Sequence, residues 1–207
     1  MGATLHTQYL VLAKRPYQES ALLLSGISPD CGRLELIAHG ARKIEPGKTP
    51  VVDLYRELEI EYQSGSGDLG NLKEAELLTD HIAMAEYPKH FLFAGKAAAF
   101  VLENSVPDMP LPLVYDTLRN IFVRLGEPPE TEGTWSMVQC SVLLKSTFLY
   151  ESGLLPEMVS EKQNAFLEEL IDAAVNNSAL PGCPGPYWNS LNQWLNQLLD
   201  YHNLPRP

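Results

Sequence analysis

The sequence predicts an α+β protein in which a small five-stranded β-barrel precedes an α-helical domain. Up to residue 79, apolar and polar residues alternate in short segments, which is typical of strands with one buried face. From residue 80 onward, apolar residues recur at three- and four-residue spacing, as they do in amphipathic helices. A run of strands followed by a run of helices indicates two packed units. We therefore expect one domain at residues 1–79 and a second at residues 80–207.

The first domain contains five predicted strands, separated by turn sequences. The strands are YLVLA, ALLLSGI, RLELIA, RELEIEY and NLKEAELL. The fourth alternates most clearly, so Glu57, Glu59 and Glu61 should face solvent while its apolar residues face the core. The turn sequences are RPYQES, SPDCG, HGARKIEPGKTP and SGSGDLG. Five short strands with a longer loop after the third favour a closed barrel, because closure leaves no long exposed edge.

The second domain contains five predicted helices. Four of them lie in AEYPKHFLFAGKAAAFVLENS, LPLVYDTLRNIFVRLG, TWSMVQCSVLLKSTFLYESG and SEKQNAFLEELIDAAVNNS, and the last lies in PYWNSLNQWLNQLLDYHNLP. Gly126 and Gly153 follow apolar runs, which is where helices commonly stop. Ser160 precedes a predicted first helical turn that contains Glu161, as an N-cap residue would, because its hydroxyl oxygen can accept a hydrogen bond from a free backbone N–H. The helix boundaries are therefore marked in the sequence.

Composition and cysteine usage favour a cytoplasmic protein without a metal site. The first residues lack a basic segment followed by an apolar run, so we expect no secretory signal. No apolar stretch reaches the roughly 18 residues that would cross a bilayer, so we expect no membrane partner. Cys31, Cys140 and Cys183 are far apart and odd in number, which fits reduced thiols. No paired cysteines or closely spaced histidines predict a zinc site.

The sequence contains no pattern that predicts catalytic residues or a cofactor. Motifs for dinucleotides, nucleotide phosphates and serine hydrolysis are absent. The glycine-rich GSGDLG precedes a strand rather than a helix, which favours a hairpin turn over a phosphate loop. The row of Glu57, Glu59 and Glu61 could hold a cation, but a solvated strand face is the more common use. Cys31 could be a reactive thiol, although a turn cysteine fits its surroundings better.

Basic residues of the first domain occur at strand ends and in loops, where a barrel presents a binding surface. The candidates for nucleic-acid binding are Lys14, Arg15, Arg33, Arg42, Lys43 and Lys48. Tyr9, Tyr17 and Tyr55 could provide rings on which bases stack. The alternative is that these cations only keep the chain in solution, since the same domain carries eight basic and eleven acidic residues.

The order of motifs resembles that of the RecO family of bacterial recombination mediators. The resemblance is carried by LVLAKRPYQESALLLSGISPDCGRLELIAHGARK, with EAELL downstream, and more weakly by VLLKSTFLYESGLLPE in the helical part. In that family a strand leads into an R-P-Y-x-E-S-like turn, and a G-R pair opens the third strand. The likeness spans residues 5 to about 156 and is strongest before residue 80.

The resemblance implies an N-terminal OB-fold barrel, a helical domain and no covalent chemistry. Family members bind single- and double-stranded DNA, anneal complementary strands and, with the partner RecR, help load recombinase in the cytoplasm at the nucleoid. Transferred to this chain, the DNA-binding positions are the six cations named above. The helical domain is expected to bind the acidic, apolar-ended tail of single-strand-binding protein. Its candidate cations are Lys89, Lys96, Arg119, Arg124, Lys145, Lys162 and Arg206.

Two features differ from the family pattern. Many members carry a four-cysteine zinc knuckle after the helical motif, whereas the corresponding ESGLLPEMVSEKQNAF has no cysteine, so no zinc is expected. The whole chain has a formal charge of -11, and the part after residue 79 carries fifteen acidic and seven basic residues. Because cations provide most non-specific DNA affinity, the alternative is a degenerate family member that acts as a protein-binding adaptor. A small-molecule enzyme is a third, weaker hypothesis.

Overall fold

The computed structural model describes residues 4–42, 50–65, 69–129, 131, 133–157 and 160–207. Its first part contains five strands: β1 (Thr4–Tyr17), β2 (Ala21–Ser28), β3 (Gly32–Ala38), β4 (Arg56–Gln63) and β5 (Leu69–Asp80). They form a closed barrel in the order β1-β2-β3-β5-β4. Neighbouring strands are antiparallel except β3 and β5, which are parallel. The prediction of five strands followed by helices is confirmed.

The length and irregularity of β1 allow the barrel to close. Residues 4–10 of β1 pair with β4, whereas residues 10–17 pair with β2. The register with β2 shifts between Val11 and Ala13, and such a bulge bends a strand and increases its twist. At Gly26 of β2, which lies against β1, only glycine fits. A Cβ atom on Gly26 would lie 2.3 Å from the carbonyl oxygen of Leu10.

The core of the barrel comes from the inward residues of each alternating strand. Tyr9 and Val11 of β1 pack with buried residues of all the other strands except β5, which contributes partly buried ones. The alternation fails at the start of β4, where Glu57 is buried although Glu59 is exposed. The pairing of β4 with β5 shifts between Glu57 and Leu58, and a bulge interrupts the two-residue period. The prediction that Glu57 faces solvent is therefore wrong.

The second part contains five helices: α1 (Pro88–Asn104), α2 (Pro112–Leu125), α3 (Met137–Glu151), α4 (Glu161–Val175) and α5 (Gly185–Tyr201). Gly126 follows α2, and Gly153 follows α3 with a φ of 67°. That left-handed conformation costs glycine little and other residues more. Ser160 is the N-cap of α4, and its side chain accepts a hydrogen bond from the backbone N–H of Gln163. The helix boundary signals are confirmed.

Helix α3 is buried on all sides. Every residue from Cys140 to Leu149 is buried, and the helix packs against α1, α4 and α5. Its N-terminus is held by a capping box in which Ser136 and Gln139 exchange side-chain and backbone hydrogen bonds.

No helix in the described ranges is both long and apolar enough to cross a membrane.

The chain divides into two compact units. The barrel unit comprises Met1–Ala83 and Ser105–Pro112, and the helical unit comprises Met84–Asn104 and Leu113–Pro207. Residues 105–112 join the barrel unit because the backbone N–H of Arg33 donates to the carbonyl oxygen of Val106 at 3.3 Å. Gly32 adopts a φ of 67°, and a Cβ there would lie 2.1 Å from the carbonyl oxygen of Met109. The predicted boundaries assign this segment to the helical domain.

Candidate functional site

A groove of about 570 Å³ crosses the outer face of the barrel over β1, β2 and β3. We call it the barrel groove. It is lined by Ala13, Lys14, Arg15, Leu23, Ser25, Arg33, Glu35 and Leu69. Strand register explains how residues distant in sequence meet there, because Ala13 lies opposite Ser25 and Ser25 lies opposite Glu35. In the next row, Arg15 lies opposite Leu23. Residues two apart on a strand point to the same face.

A carboxylate holds Arg33 in the groove. Its Nε and Nη2 atoms donate to Oε1 of Glu35 at 3.0 and 2.9 Å. The hydroxyl of Ser25 donates to the other oxygen of Glu35, Oε2, at 2.6 Å. Both carboxylate oxygens are thus engaged, and the Glu35 side chain is only 17% exposed. These hydrogen bonds hold Glu35 and Arg33 side by side in the lining of the groove.

The remaining two groove cations differ in their partners. The ammonium of Lys14 donates to Oδ1 of Asp53, in the segment that precedes β4. Burial opposes the ionisation of Asp53, but hydrogen bonds from Lys14 and from the Leu54 backbone hold its pKa below the ordinary value. Arg15 is exposed, and no ion-pair or hydrogen-bond partner for it lies among the described residues. Arg15 is therefore the groove cation most accessible to an anion.

Arg42 lies outside the barrel groove. Its Nη1 atom donates to the carbonyl oxygens of Gln18 and Glu19 at 3.1 and 3.2 Å. Its backbone N–H donates to the carbonyl oxygen of Ser20. These three acceptors form the turn between β1 and β2, so Arg42 fastens that turn to the segment after β3. Lys43 and Lys48 lie outside the described residues.

The structure thus brings three of the six predicted cations, Lys14, Arg15 and Arg33, into one groove. Glu35 and Ser25 were missed as members of the site. The alternation of RLELIA already placed Glu35 on the same outward face as Arg33, two residues away, which is the spacing of an intrastrand ion pair. Ser25 could not be found in this way, because its place depends on the register between β2 and β3.

Two of the three predicted stacking tyrosines belong to the core. Tyr9 is fully buried and Tyr55 is 5% exposed, so their prediction as stacking platforms is wrong. The hydroxyl of Tyr9 donates to the carbonyl oxygen of Leu34 at 3.0 Å. Burial, and after it the charge of Glu35, raises the pKa of Tyr9 well above its ordinary value. In the described part of the chain no aromatic ring lines the barrel groove, whose apolar residues are Ala13, Leu23 and Leu69.

The helical unit contains a second groove, of about 480 Å³, between α3, α4 and α5. We call it the helical groove. It is lined by Ser146, Lys162, Gln163, Phe166, Leu167, Leu170, Tyr187, Leu191 and Trp194. The rings of Phe166 and Tyr187 meet edge to face, with centroids 5.5 Å apart. Most of the lining is apolar or aromatic, and Lys162 is its exposed cation. Such a groove suits an apolar anchor beside a negative charge.

The other cations predicted for the helical domain do not line this groove. Arg119 pairs with Asp116, and Arg206 pairs with Asp200. Lys145 is buried in α3, where its ammonium donates to Oδ1 of Asn192 at 2.8 Å and to Oδ1 of Asn196 at 2.7 Å.

The remaining candidates are held elsewhere in the helical unit. Lys89 and Lys96 are exposed on α1. Arg124 donates to Asn177 and stacks over Trp135, with its guanidinium carbon 5.2 Å from the ring centroid. Of the seven candidates, only Lys162 belongs to the helical groove.

The cysteines do not form a metal site within the described ranges. No three potential ligands among histidine, cysteine, aspartate and glutamate lie close enough there to hold an ion. Cys140 is fully buried in α3, and burial raises the pKa of its thiol to about 12. A neutral thiol is a poor ligand because metals bind the thiolate. Cys31 lies in the β2–β3 turn, with Sγ 3.4 Å from the hydroxyl oxygen of Tyr62. The residues present do not fit the four-cysteine zinc knuckle.

Comparison with known proteins gives a consistent result. Residues 1–80 match the family model for the recombination protein O N terminal region. A DNA repair protein RecO from Aliivibrio salmonicida is 32% identical over 108 residues, which cover 52% of this chain and 45% of that protein. One from Aliivibrio fischeri is 36% identical over the same shares. One from Alteromonas mediterranea is 26% identical over 155 residues, 73% of this chain and 61% of that protein. The match thus spans about half the length of these curated relatives.

Proposed function

We propose that this chain, whose residues 1–80 match the RecO N-terminal family model, acts as a RecO-family protein in DNA repair and recombination and binds DNA in the barrel groove. The observation that carries the proposal is the meeting of Lys14, Arg15 and Arg33 in one groove on the outer face of β1–β3. The strand order and the parallel β3–β5 pair support an OB-fold, an architecture that binds oligonucleotides on its barrel face. The proposed action is binding without covalent chemistry.

The lining of the groove favours contacts with the sugar–phosphate backbone. Non-specific binding to single strands commonly uses aromatic rings on which bases stack, and here the apolar residues are aliphatic. Cations that contact phosphates position a strand without reading its sequence. We therefore propose that single and double strands both bind. A strand held by its phosphates keeps its base edges free, which is the state needed for annealing to a complementary strand.

The distribution of charge restricts where DNA binds. The part of the chain after residue 79 carries fifteen acidic and seven basic residues, so it repels a polyanion at distances within the Debye length of about 8 to 10 Å. The barrel groove contributes three cations and one carboxylate. We propose that DNA contact is confined to the barrel and that the affinity is moderate.

The helical groove supports a second binding function. Its aromatic and aliphatic lining with Lys162 at the rim is complementary to an acidic peptide that ends in apolar residues, such as the tail of single-strand-binding protein. With both grooves occupied, one molecule would hold DNA and the single-strand-binding protein that coats it. With a RecR-like partner, that molecule would help to load recombinase. The alternative is an adaptor that keeps the helical groove and has little DNA affinity. The pairing of Lys14 and Arg33 with carboxylates favours that alternative.

The test is titration of fluorescently labelled single-stranded DNA, followed by anisotropy at low and moderate salt. The triple variant Lys14→Gln, Arg15→Gln, Arg33→Gln should bind at least roughly tenfold more weakly at low salt. Its slope of log affinity on log salt should flatten by about 2, at about 0.7 per lost phosphate contact. The matched control removes three exposed lysines outside the groove, Lys73→Gln, Lys89→Gln and Lys96→Gln.

Two results would count against the proposal. If the control variant loses as much affinity as the groove variant, only net charge matters and the groove is not the site. If the unaltered protein fails to bind DNA at low salt, with and without a RecR-like partner, the result supports the alternative that the protein is an adaptor. Circular dichroism should show that both variants remain folded, because exposed substitutions usually change stability by less than about 0.5 kcal/mol.

A further inference from the structure

The barrel groove already contains an anion. The carboxylate of Glu35 lies in its lining and accepts two hydrogen bonds from Arg33, through Nε and Nη2. These two atoms form one edge of the planar guanidinium, the kind of edge that binds carboxylate or phosphate oxygens. A phosphate that approached Arg33 on this edge would meet a position that is already occupied.

Ser25 helps to hold the Glu35 carboxylate in its position beside Arg33. Its hydroxyl donates to the second oxygen of Glu35 at 2.6 Å, from the directly opposite position on β2. The Glu35 side chain is therefore anchored from two strands and is 17% exposed, whereas the Arg33 side chain is 37% exposed. Displacing Glu35 would break three hydrogen bonds, so its place in the groove is not that of a freely rotating surface carboxylate.

From these contacts we propose that Glu35 is an internal competitor of the DNA phosphate and sets the affinity of the barrel groove. Binding at Arg33 is then an exchange, in which a phosphate replaces the carboxylate, rather than an addition. Arg15, which has no partner among the described residues, would make the first contact. This inference rests on the proposed function of the groove, and it adds the residue that limits binding.

Exchange predicts an unusual response to the loss of one negative charge. Glu35→Gln keeps the size of the side chain and an oxygen that can accept from Arg33 or Ser25, but it removes the charge that holds the guanidinium. We expect the variant to bind single-stranded DNA roughly tenfold more tightly at low salt, because a hydrogen bond to a charged group contributes more than a neutral one. The salt slope should become steeper by about 0.7, the value of one additional phosphate contact.

The control is Glu59→Gln, which makes the same change in net charge at an exposed position of β4. It should bind DNA as the unaltered protein does, within about twofold, because no residue of β4 lines the groove and an exposed charge is screened. A double variant, Glu35→Gln with Arg33→Met, should lose the whole gain, because the gain is made through Arg33. If Glu35→Gln is poorly folded by circular dichroism, Ser25→Ala frees the same carboxylate from one anchor and should change affinity in the same direction.

The outcomes separate this inference from the proposed function. Tighter binding by Glu35→Gln alone, abolished by the Arg33 change, supports the exchange. Equal affinities of Glu35→Gln, Glu59→Gln and the unaltered protein would overturn the inference but leave the groove as the site. A gain that persists without Arg33 would also overturn it, because the effect would then be one of overall charge. If none of the proteins binds DNA at low salt, both the proposed function and this inference fail.

Discussion

Among the described residues, the barrel unit and the helical unit each bury one arginine or lysine side chain, but the two side chains have different partners. Arg56 in β4 donates through Nε and Nη2 to Oδ2 of Asp80 in β5, at 3.0 and 2.7 Å. Its Nη1 donates to the backbone carbonyl oxygens of Pro50 and Val51. Lys145 in α3 meets no carboxylate in the described residues around it, only the amide oxygens of Asn192 and Asn196.

The difference shows what a buried charge needs. Removing a charge from water costs several kcal/mol, and a close opposite charge with good hydrogen bonds can offset that cost. Asp80 provides such a charge for Arg56. For Lys145 the partners are neutral, so burial, and after it the charge of Arg206, lowers its pKa to about 8. The buried cation of the barrel unit, Arg56, is therefore part of an ion pair. The buried cation of the helical unit, Lys145, can lose its proton near physiological pH.

Replacing Arg56, the buried cation that has a carboxylate partner, should have the largest effect on the free energy of unfolding. Arg56→Met leaves the Asp80 carboxylate and two backbone carbonyl groups without their donor. Breaking a buried pair in this way typically costs about 3–5 kcal/mol of unfolding free energy. Urea unfolding monitored by circular dichroism measures the loss, and Arg15→Met serves as the exposed control. A loss below about 1 kcal/mol would mean that water replaces the guanidinium and that the ion pair adds little.

Lys145, the buried cation without a carboxylate partner among the described residues, should make the free energy of unfolding depend on pH. Because the pKa of Lys145 is about 8 in the folded protein and about 10.4 when unfolded, the unfolded state binds more protons between these values. The unfolding free energy should therefore rise with pH from about 8 to 10.4, by on the order of 3 kcal/mol relative to Lys145→Met. Below pH 8 the full penalty of the buried charge is present, and above 10.4 it is gone.

Comparison with Lys145→Met at each pH is essential. Tyr9 and Cys140 have raised pKa values and lower the stability as pH rises through the alkaline range. The difference between the two proteins cancels those contributions. Lys89→Met, at an exposed position, should show no such difference. A flat difference profile for Lys145→Met would indicate that water reaches the ammonium group.

A smaller effect is expected at the exposed cation of the helical unit. If Lys162 attracts the acidic part of a peptide tail, Lys162→Glu should weaken the binding of such a peptide to the helical groove by roughly five- to tenfold, as a partly screened charge pair contributes about 1 kcal/mol. Lys89→Glu is the matched control on α1. Chemical shifts of Phe166, Tyr187 and Trp194, measured during a peptide titration, report occupation of the groove. No shifts at millimolar peptide would exclude the groove as the tail site.

The sequence predicts the elements better than it predicts their junctions. Alternation and turn signals together located all five strands, and Gly153 and Ser160 marked helix ends because their backbone roles are local. The sequence did not assign Tyr9 to a face, because YLVLA is a continuous apolar run in which Leu10 and Leu12 are buried as well as Tyr9. The bulge that buries Glu57 was not available to sequence reasoning, because it depends on how β4 pairs with β5.

The candidate site could be predicted only in part for the same reason. Arg33 and Glu35 are two residues apart and share a face by alternation, but Ser25 joins them only through the register of β2 with β3. Lys145 stands out as the one charge in SVLLKSTFLY. Its partners Asn192 and Asn196 lie in α5, and only the packing of α3 against α5 brings them to it. Contacts between elements are set by three-dimensional packing, which no local pattern encodes.

The smallest effect is expected at Arg42, which the sequence offered as a DNA contact and the structure places on the β1–β2 turn. Its Nη1 atom is engaged by the carbonyl oxygens of Gln18 and Glu19, while the side chain as a whole is exposed. Arg42→Glu removes those hydrogen bonds at the surface, so the unfolding free energy should fall by about 0.5 kcal/mol or less.

DNA affinity should fall less in Arg42→Glu than in Arg15→Glu, because Arg15 lies in the barrel groove and has no partner among the described residues. The two variants carry the same charge change, so anisotropy titrations at several salt concentrations compare the positions directly. If Arg42→Glu weakens binding as much as Arg15→Glu and flattens the salt slope equally, the DNA path extends from the groove to this turn, and the division between a binding groove and a structural turn is wrong.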